Sequence, residues 1–346
     1  MKKIDIVSLS ESELEKLVIS LGGKKFVSKQ IFEWLHQKLA ASFTQMSNLS
    51  KEFRDVLEEK CEIPRLKRKK REVSKIDSSV KFLFELEDGE LIETVLMKYK
   101  DHMTLCVSSQ VGCAVNCAFC QTGKSGFTRN LSALEIVNQY YEVEREVKKS
   151  GGHVRNIVFM GMGEPLLNLP NVVQALEILG NPQGQDVSIR RISVSTAGIL
   201  PGIEELLIDE LPLTLSISLH ATTDEKRSRI MPINRTYSLK ELIETLRLYQ
   251  SRTNRKITFE YILIKDFNMT REDAERLREI TKGFICNVNL IPYNAVENCE
   301  FATPGRTEIE RFTSQLERLG VNVTLRASRG KDIQGACGQL RKREIK

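Results

Sequence analysis

The stretch Met103-Thr104-Leu105-Cys106-Val107-Ser108-Ser109-Gln110-Val111-Gly112-Cys113-Ala114-Val115-Asn116-Cys117-Ala118-Phe119-Cys120 decides how the chain is read. It passes from an apolar segment into three cysteines spaced C-x3-C-x2-C. A structural zinc wants four tetrahedral ligands, usually as two spaced pairs, and only three are local here. Three thiolates in one short loop suit a [4Fe–4S] cluster whose fourth iron stays open. Zinc is the competing reading.

Outward from this loop the chain alternates between two periodicities. Apolar stretches at 103–108, 155–160, 190–196, 213–219, 256–264, 286–291 and 321–326 read as strands, with helical patterns between them. One helix, over 132–149, opens with the capping-box spacing Ser132-x-x-Glu135. Such alternation requires right-handed crossovers and a parallel sheet. The number of repeats falls short of a closed eightfold barrel, so the expected fold is α/β with a partial (β/α)6 barrel. Its loops after the strands are where such a fold carries its site. Upstream, Val80 to Leu86 and Leu91 to Lys98, joined by Asp88-Gly89, read as a hairpin. Earlier still the pattern is helical. Ser10 and Glu13 form a capping box ahead of Leu14, a second helix runs from Phe26 to Leu39, and a third covers 50–61. The expected organisation is a basic helical domain over 1–75, a hairpin linker over 76–100 carrying Glu93, the barrel over 101–330, and a tail over 331–346 carrying Cys337.

Composition narrows the class. Of 346 residues, 41% are hydrophobic and 28% charged, enough for an ordinary core. No apolar run approaches the ~18 residues of a membrane span, and the first residues have no signal-peptide core, so a soluble cytoplasmic protein is expected. Eight cysteines are too dilute for a disulfide scaffold. Residues 1–75 hold 17 Lys/Arg against 11 Asp/Glu, which accounts for the whole net charge of +6. The excess is densest in Arg65-Leu66-Lys67-Arg68-Lys69-Lys70-Arg71. Such a run is a footprint for a polyanion, with a solvated linker or helix face as the alternative.

The cysteine loop after a first barrel strand resembles the radical S-adenosylmethionine (AdoMet) superfamily. Further segments are similar to one branch of it, the 23S rRNA adenine-C2 methyltransferases of the RlmN type. They are Thr104 to Cys113, Met160-Gly161-Met162-Gly163-Glu164-Pro165, Ser218-Leu219-His220-Ala221, Arg229-Ile230-Met231-Pro232-Ile233-Asn234 and Ala336-Cys337-Gly338-Gln339. The resemblance implies that Cys113, Cys117 and Cys120 hold one [4Fe–4S] cluster. It further implies that Gly163, Glu164, Ser195, Ser218, Leu219, His220 and Asn294 contact AdoMet, used twice per turnover as methyl donor and radical source. Cys337 would carry the methyl group, Cys106 would release the product by pairing with Cys337 in a disulfide, and Glu93 would accept a proton. The implied partners are 23S rRNA and an electron donor such as flavodoxin, for a monomeric enzyme. Whether the adenosine 3′ of the anticodon in some tRNAs is a second substrate stays open.

The residue chemistry fits that reading. Adenine C2 has no lone pair with which to attack a methyl sulfonium, whereas a thiolate does. Glycines permit close backbone approach, and a carboxylate accepts from an ammonium. Taken singly, each residue also has an ordinary reading. Glu93 is by position an exposed strand carboxylate, Cys106 a buried thiol, and strand-end Ser or Asn a turn residue. Cys61, Cys286, Cys299, His36, His102 and His153 match no motif and read as structural. Two alternatives remain at this point: a C8-methylating resistance-type relative, which tends to carry Ala where this chain has Pro165, and a zinc-stabilised RNA-binding module without catalysis.

Replacing Cys113, Cys117 or Cys120 by Ala is expected to abolish cluster retention and methylation together. Anaerobic reconstitution followed by iron and sulfide analysis should give about four of each per wild-type chain. One zinc per chain with full activity would overturn the assignment.

Overall fold

The computed structural model describes residues 3–208, 211, 213–296 and 299–341. Residues 1–2 of the expected N-terminal domain and 342–346 of the expected tail lie outside the described residues. In chain order the first elements are β1 (Ile4–Asp5), α1 (Glu11–Ser20), α2 (Lys25–Phe32), α3 (Lys51–Lys60), β2 (Cys61–Glu62), β3 (Lys67–Val73), β4 (Val80–Glu85), β5 (Leu91–Lys98) and β6 (Met103–Cys106). Then come β7 (Gln110–Gly112), α4 (Gln121–Lys124), β8 (Phe127–Asn130), α5 (Ala133–Lys148), β9 (Asn156–Phe159), α6 (Leu169–Gly180), β10 (Ile192–Thr196) and α7 (Leu200–Ile208). The last are β11 (Thr214–Ser218), α8 (Asp224–Ile230), α9 (Leu239–Thr253), β12 (Ile257–Leu263), α10 (Arg271–Thr281), β13 (Cys286–Pro292), α11 (Arg306–Arg318) and β14 (Val323–Leu325).

The chain forms two compact units. The first comprises Met1–Lys67, Ser132–His153 and Pro170–Ser188, the second Arg68–Leu131, Val154–Leu169 and Ile189–Lys346. In the first unit Ser10 and Ser132 cap α1 and α5, each reciprocated by a glutamate three residues on. The second expected helix is α only as far as Phe32 and continues as a π-turn over Glu33–Gln37. That turn buries His36, whose Nδ1 lies 2.7 Å from the Tyr141 hydroxyl on α5. Arg65 forks onto Glu142 of α5 through two 2.8 Å hydrogen bonds. These contacts between residues distant in sequence make α5 part of the N-terminal unit.

The second unit is built on a ten-stranded sheet in the order β14-β13-β12-β11-β10-β9-β6-β5-β4-β3. Strands β6 and β9 to β14 pair in parallel, one after the next. The sheet ends at β14 and β3 rather than closing, which is the partial (β/α)6 arrangement extended by the antiparallel β4–β5 hairpin. Most of the basic run forms β3, the edge strand. Lysines are poor strand formers, but an edge strand rich in lysine is disfavoured as a template for pairing with another chain. Its charge is partly met within the sheet, by Lys69–Glu85 at 3.1 Å and Lys70–Glu72 at 2.8 Å.

Register gives one face of the parallel strands a polar character. Ser195, Ser216, Thr258 and Asn287 lie in one row, and Ser218, Glu260, Asn289 and Thr324 in another. Their neighbours along each strand, such as Val194, Ile217, Phe259 and Val288, point the other way into the apolar core.

The short β7–β8 hairpin, absent from the expected elements, brackets the three-cysteine loop. Gly112 adopts φ +78°, and a Cβ there would lie 1.8 Å from the Gly126 carbonyl oxygen. Gly89 has φ +85° with nothing within 4 Å of the same position. Gly89→Ala is therefore expected to cost only the left-handed strain, about 1 kcal/mol. Gly112→Ala must also push backbone apart and should cost at least ~3 kcal/mol in urea denaturation.

Candidate active site

The loop from Cys113 to Cys120 is shaped by its own backbone. Cys113 N donates to Gly126 O at 2.9 Å, and Asn116 takes φ +55°, which Asn tolerates better than most residues. Gly123 lies so close that a Cβ would stand 2.9 Å from Cys117 N. Ala118 N, between the second and third cysteines, donates to Ile230 O at the end of α8 (2.9 Å). Cys113, Cys117 and Phe119 pack on an apolar cluster that includes Ile230, Met231, Ile262 and Tyr293. Burial pushes the Cys113 thiol up to about 12 and raises Cys117 well above its ordinary value, with repulsion from Cys120 and Cys113 adding to the latter. Clustered, desolvated thiols of this kind give up their protons when a metal centre binds them. Cys299, read from sequence as structural, belongs to the same neighbourhood and donates to Ala118 O at 3.4 Å.

Glu164 lies at the end of the β9 loop, fully enclosed. Its carboxylate accepts from Leu166 N (3.0 Å) and Ala197 N (2.7 Å), tying the β9 loop to the end of β10. Burial raises Glu164 to about 7 against these hydrogen bonds. Gly163, at φ +106°, leaves room for Gln110, whose Cβ would stand 2.6 Å from a Cβ at that position. The glycine is thus already required by protein packing, independently of any ligand. Ser195 and Ser218 sit on the polar face described above, while the Leu219 side chain is buried.

His220 adopts φ +58°, an uncommon backbone for a buried non-glycine residue. It is held there by Asn268, which donates to His220 O (2.8 Å) and Ile262 O (2.6 Å). Ile262 N donates to His220 Nδ1 at 3.1 Å, which leaves the ring proton on Nε2. The ring meets Phe119 edge-on, with centroids 4.8 Å apart. Burial, with help from Arg227, depresses His220 to about 3.

A pocket with ≈ 580 Å³ of free space, partly open to solvent, is lined by both Cys106 and Cys337. Cys106, at the end of β6, is buried, while Cys337, on the tail, is exposed at the mouth. Burial pushes Cys106 up to about 12, with Cys337 adding to the shift. Crowding by surrounding atoms also raises Cys337. Arg326, just past β14, opposes both shifts. Its NH1 is 3.6 Å from Glu260 Oε2. Asn294 lines the pocket too, with Nδ2 donating to Cys337 O (3.2 Å) and a buried Oδ1 that has no hydrogen-bond partner among the described residues.

Glu93 is not the exposed carboxylate that strand position alone suggests. It is 1% exposed, because the tail folds over β5 at this point. Arg341 N donates to Glu93 Oε2 (3.0 Å), and Lys81 Nζ lies 3.4 Å from Oε1. Glu93 shares its face of β5 with Val95 and Met97, which line the pocket with Cys106. Sequence reasoning missed Lys81, Arg227, Asn268 and Arg326. Each is a polar side chain whose burial depends on tertiary packing, and the only local hint was Asn234, a partner of Arg227 in a quoted motif.

The open-ended parallel sheet, with three thiols on the loop after its first strand, defines a radical SAM enzyme. The family model "Radical SAM superfamily" matches residues 107–279, and "Ribosomal RNA large subunit methyltransferase N-terminal domain" matches 4–63. The dual-specificity RNA methyltransferase RlmN of Geobacter sulfurreducens is 47% identical, over 98% of this chain and 92% of its own. The probable counterpart in Pseudothermotoga lettingae is 44% identical over 99% and 98%. A crystal structure of a radical SAM methyltransferase from Sphaerobacter thermophilus superposes with TM-score 0.93 at 40% identity, covering 97% of this chain and 99% of that one. The chain belongs to the RlmN family of radical SAM RNA methyltransferases. The family works with a [4Fe–4S] cluster and AdoMet, two per turnover. The residues fit these groups in chemistry. Three thiols on one loop, close enough to repel one another although not gathered about a single point, form an incomplete donor set. Asn294 Oδ1, without a hydrogen-bond partner among the described residues, offers a further polar contact. Neither a zinc-stabilised module nor a C8-methylating enzyme is favoured by this membership. No helix among the described residues is long and apolar enough to cross a membrane.

For His220 the expected outcome is a neutral ring protonated on Nε2 from about pH 8 down to ~4, as seen by nitrogen NMR of the apoprotein. The folded value of about 3 lies below the ordinary 6.5. The unfolded chain therefore binds the extra proton first, and this contribution to stability, complete above 6.5, is lost as pH falls toward 3. Titration near 6.5 in the folded protein would contradict the burial and the Nδ1 acceptor role.

Proposed function

We propose that this enzyme methylates C2 of an adenosine in the peptidyl-transferase centre of 23S rRNA, by way of a methyl group carried on Cys337. The adenosine 3′ of the anticodon in some tRNAs is proposed as a second substrate, in keeping with the dual specificity named for its relatives. The observation that carries the reading is the pocket shared by Cys106 and Cys337. Cys113, Cys117 and Cys120 would hold the cluster, and Gly163, Glu164, Ser195, Ser218, Leu219, His220 and Asn294 would surround AdoMet, which would supply a methyl group in one use and a 5′-deoxyadenosyl radical in the other.

The protein's own residues order the rest. Cys337 stands at the mouth, where a thiolate favoured by Arg326 takes a methyl group by polar displacement. Once its methyl carbon has been activated and joined to adenine C2, protein and RNA are covalently linked. Glu93 accepts a proton during resolution, which requires that the Arg341 N–H bond give way. Cys106, as a thiolate, attacks the sulfur of Cys337. The carbon–sulfur electron pair passes to the carbon on adenine C2, which takes up a proton to become the methyl group. The two sulfurs are left as a disulfide that an external dithiol reduces before the next turnover. The electron donor is proposed to be a flavodoxin-type protein and the enzyme a cytoplasmic monomer, where its rRNA substrate is made. Residues 1–75 would recruit RNA through phosphates, a contact that weakens with salt.

The two thiols are expected to fail differently. Cys337→Ala should yield neither S-methylcysteine nor methylated RNA. Cys106→Ala should still take the methyl group and bond to adenine, then accumulate a nuclease-sensitive adduct of raised mass on denaturing gels. An adduct from Cys337→Ala instead would exchange the roles, and mass spectrometry of the product nucleoside distinguishes C2 from C8.

A further inference from the structure

Arg227 on α8 is one of the largest fully buried side chains in the protein. Its Nε donates to Leu219 O (3.1 Å), NH1 to Asn234 Oδ1 (2.9 Å), and NH2 to Ala197 O (2.7 Å) and Ser218 O (3.1 Å). Every acceptor is neutral. Among the described residues no carboxylate forms an ion pair with it. Asp224, on the same helix, directs its Oδ1 to Asn234 Nδ2 (2.9 Å) and Leu239 N (2.8 Å) instead. Burial lowers Arg227 only to about 10, against the pull of Cys117 and then Asp224, so it is charged at neutral pH. A buried charge without a counter-charge is rare, because its desolvation is repaid only by pairing.

The packing around Arg227 shows which group a buried positive charge there would face. Arg227 and Ile230 stand three residues apart on α8, hence on one face. Ile230 O accepts the Ala118 N–H from within the three-cysteine loop, and the Ile230 side chain packs in the cluster that Cys113 and Cys117 join. Three thiolates around a [4Fe–4S] core carry net negative charge, and reduction adds one more unit. We infer that Arg227 is the fixed counter-charge of the iron–sulfur centre, a positioning residue that favours its reduced state while tying the ends of β10 and β11 together. The inference rests on the assignment of the cluster to Cys113, Cys117 and Cys120.

The test is the cluster's midpoint potential, measured by anaerobic spectroelectrochemistry on reconstituted Arg227→Met, Arg227→Lys and Asn234→Ala beside wild type. Iron content and circular dichroism are followed in each. Arg227→Met should keep its iron but show about a tenfold smaller ratio of reduced to oxidised cluster at fixed poise, a shift of 59 mV for one electron. Arg227→Lys retains the charge and should stay near wild type. Asn234→Ala removes one anchor of the guanidinium but no charge, so its potential should be unchanged even if stability falls. An unchanged potential in iron-replete Arg227→Met would overturn the inference. If Arg227→Met does not fold, Arg227→Gln, which keeps hydrogen-bond donors for the strand-end carbonyls but not the charge, takes its place: a potential lowered as far supports the inference, and an unchanged one overturns it. Wild-type protein that holds zinc instead of iron would overturn the cluster assignment, and the inference with it.

Discussion

Cys337 can share a pocket with Cys106 because the polypeptide carrying it is fastened before and after that residue. Upstream, Gly330 N donates to Asp77, and Asp332 accepts from Ser74 Oγ and Lys75 N. Lys81 donates to Gln334 O. Downstream, Gly338 O accepts from Gln121 N, Leu340 O from Thr122 Oγ1, and Arg341 N donates to Glu93. Most partners on the sheet side belong to the β3–β5 region, and the others follow the three-cysteine loop. A free tail of this length would spread its thiol over many positions. Ordering it costs about 1–2 kcal/mol per residue, which these bonds and the burial of Ala336 and Leu340 offset. The hairpin is therefore a docking frame for the tail as much as a linker.

The same docking explains why Glu93 is buried with Lys81 beside it. A lone carboxylate on that face would pay desolvation without return, and Lys81 is buried to the same degree. Lys81 also reaches Glu72 on the edge strand, at 3.5 Å. The tail, the hairpin and β3 thus meet in one charge cluster.

Much of this was legible in the sequence, for a physical reason. The parallel strands are apolar runs cut by capping boxes and turn residues, signals that belong to the local chain. The cysteine spacing is local as well. Contacts across sequence were not legible. Nothing near Lys67 to Arg71 marks it as a strand, since only the neighbouring β4 makes it one. Nothing near Tyr141 shows that it packs with His36 and so draws α5 into the N-terminal unit. Arg227 resembles any helix-surface arginine until the ends of β10 and β11 enclose it. Cys299 looks spare until the fold brings it to Ala118.

Two thiols in one pocket pose a last difficulty, because the proposed chemistry needs each to act in turn. Burial pushes Cys106 up to about 12, which in the proposed chemistry keeps it a thiol while the methyl group is taken. Cys337 is raised by the same kind of crowding, and Arg326 opposes the rise at both sulfurs. Arg326 keeps its orientation through Glu260, whose other oxygen accepts from Asn289 Nδ2 at 3.0 Å. Glu260 and Asn289 are register partners on adjacent strands. Slipping β12 by one residue would turn Glu260 into the apolar core and leave Arg326 without its carboxylate. The positive charge beside both thiols thus depends on the register of the parallel sheet, several residues away from either sulfur.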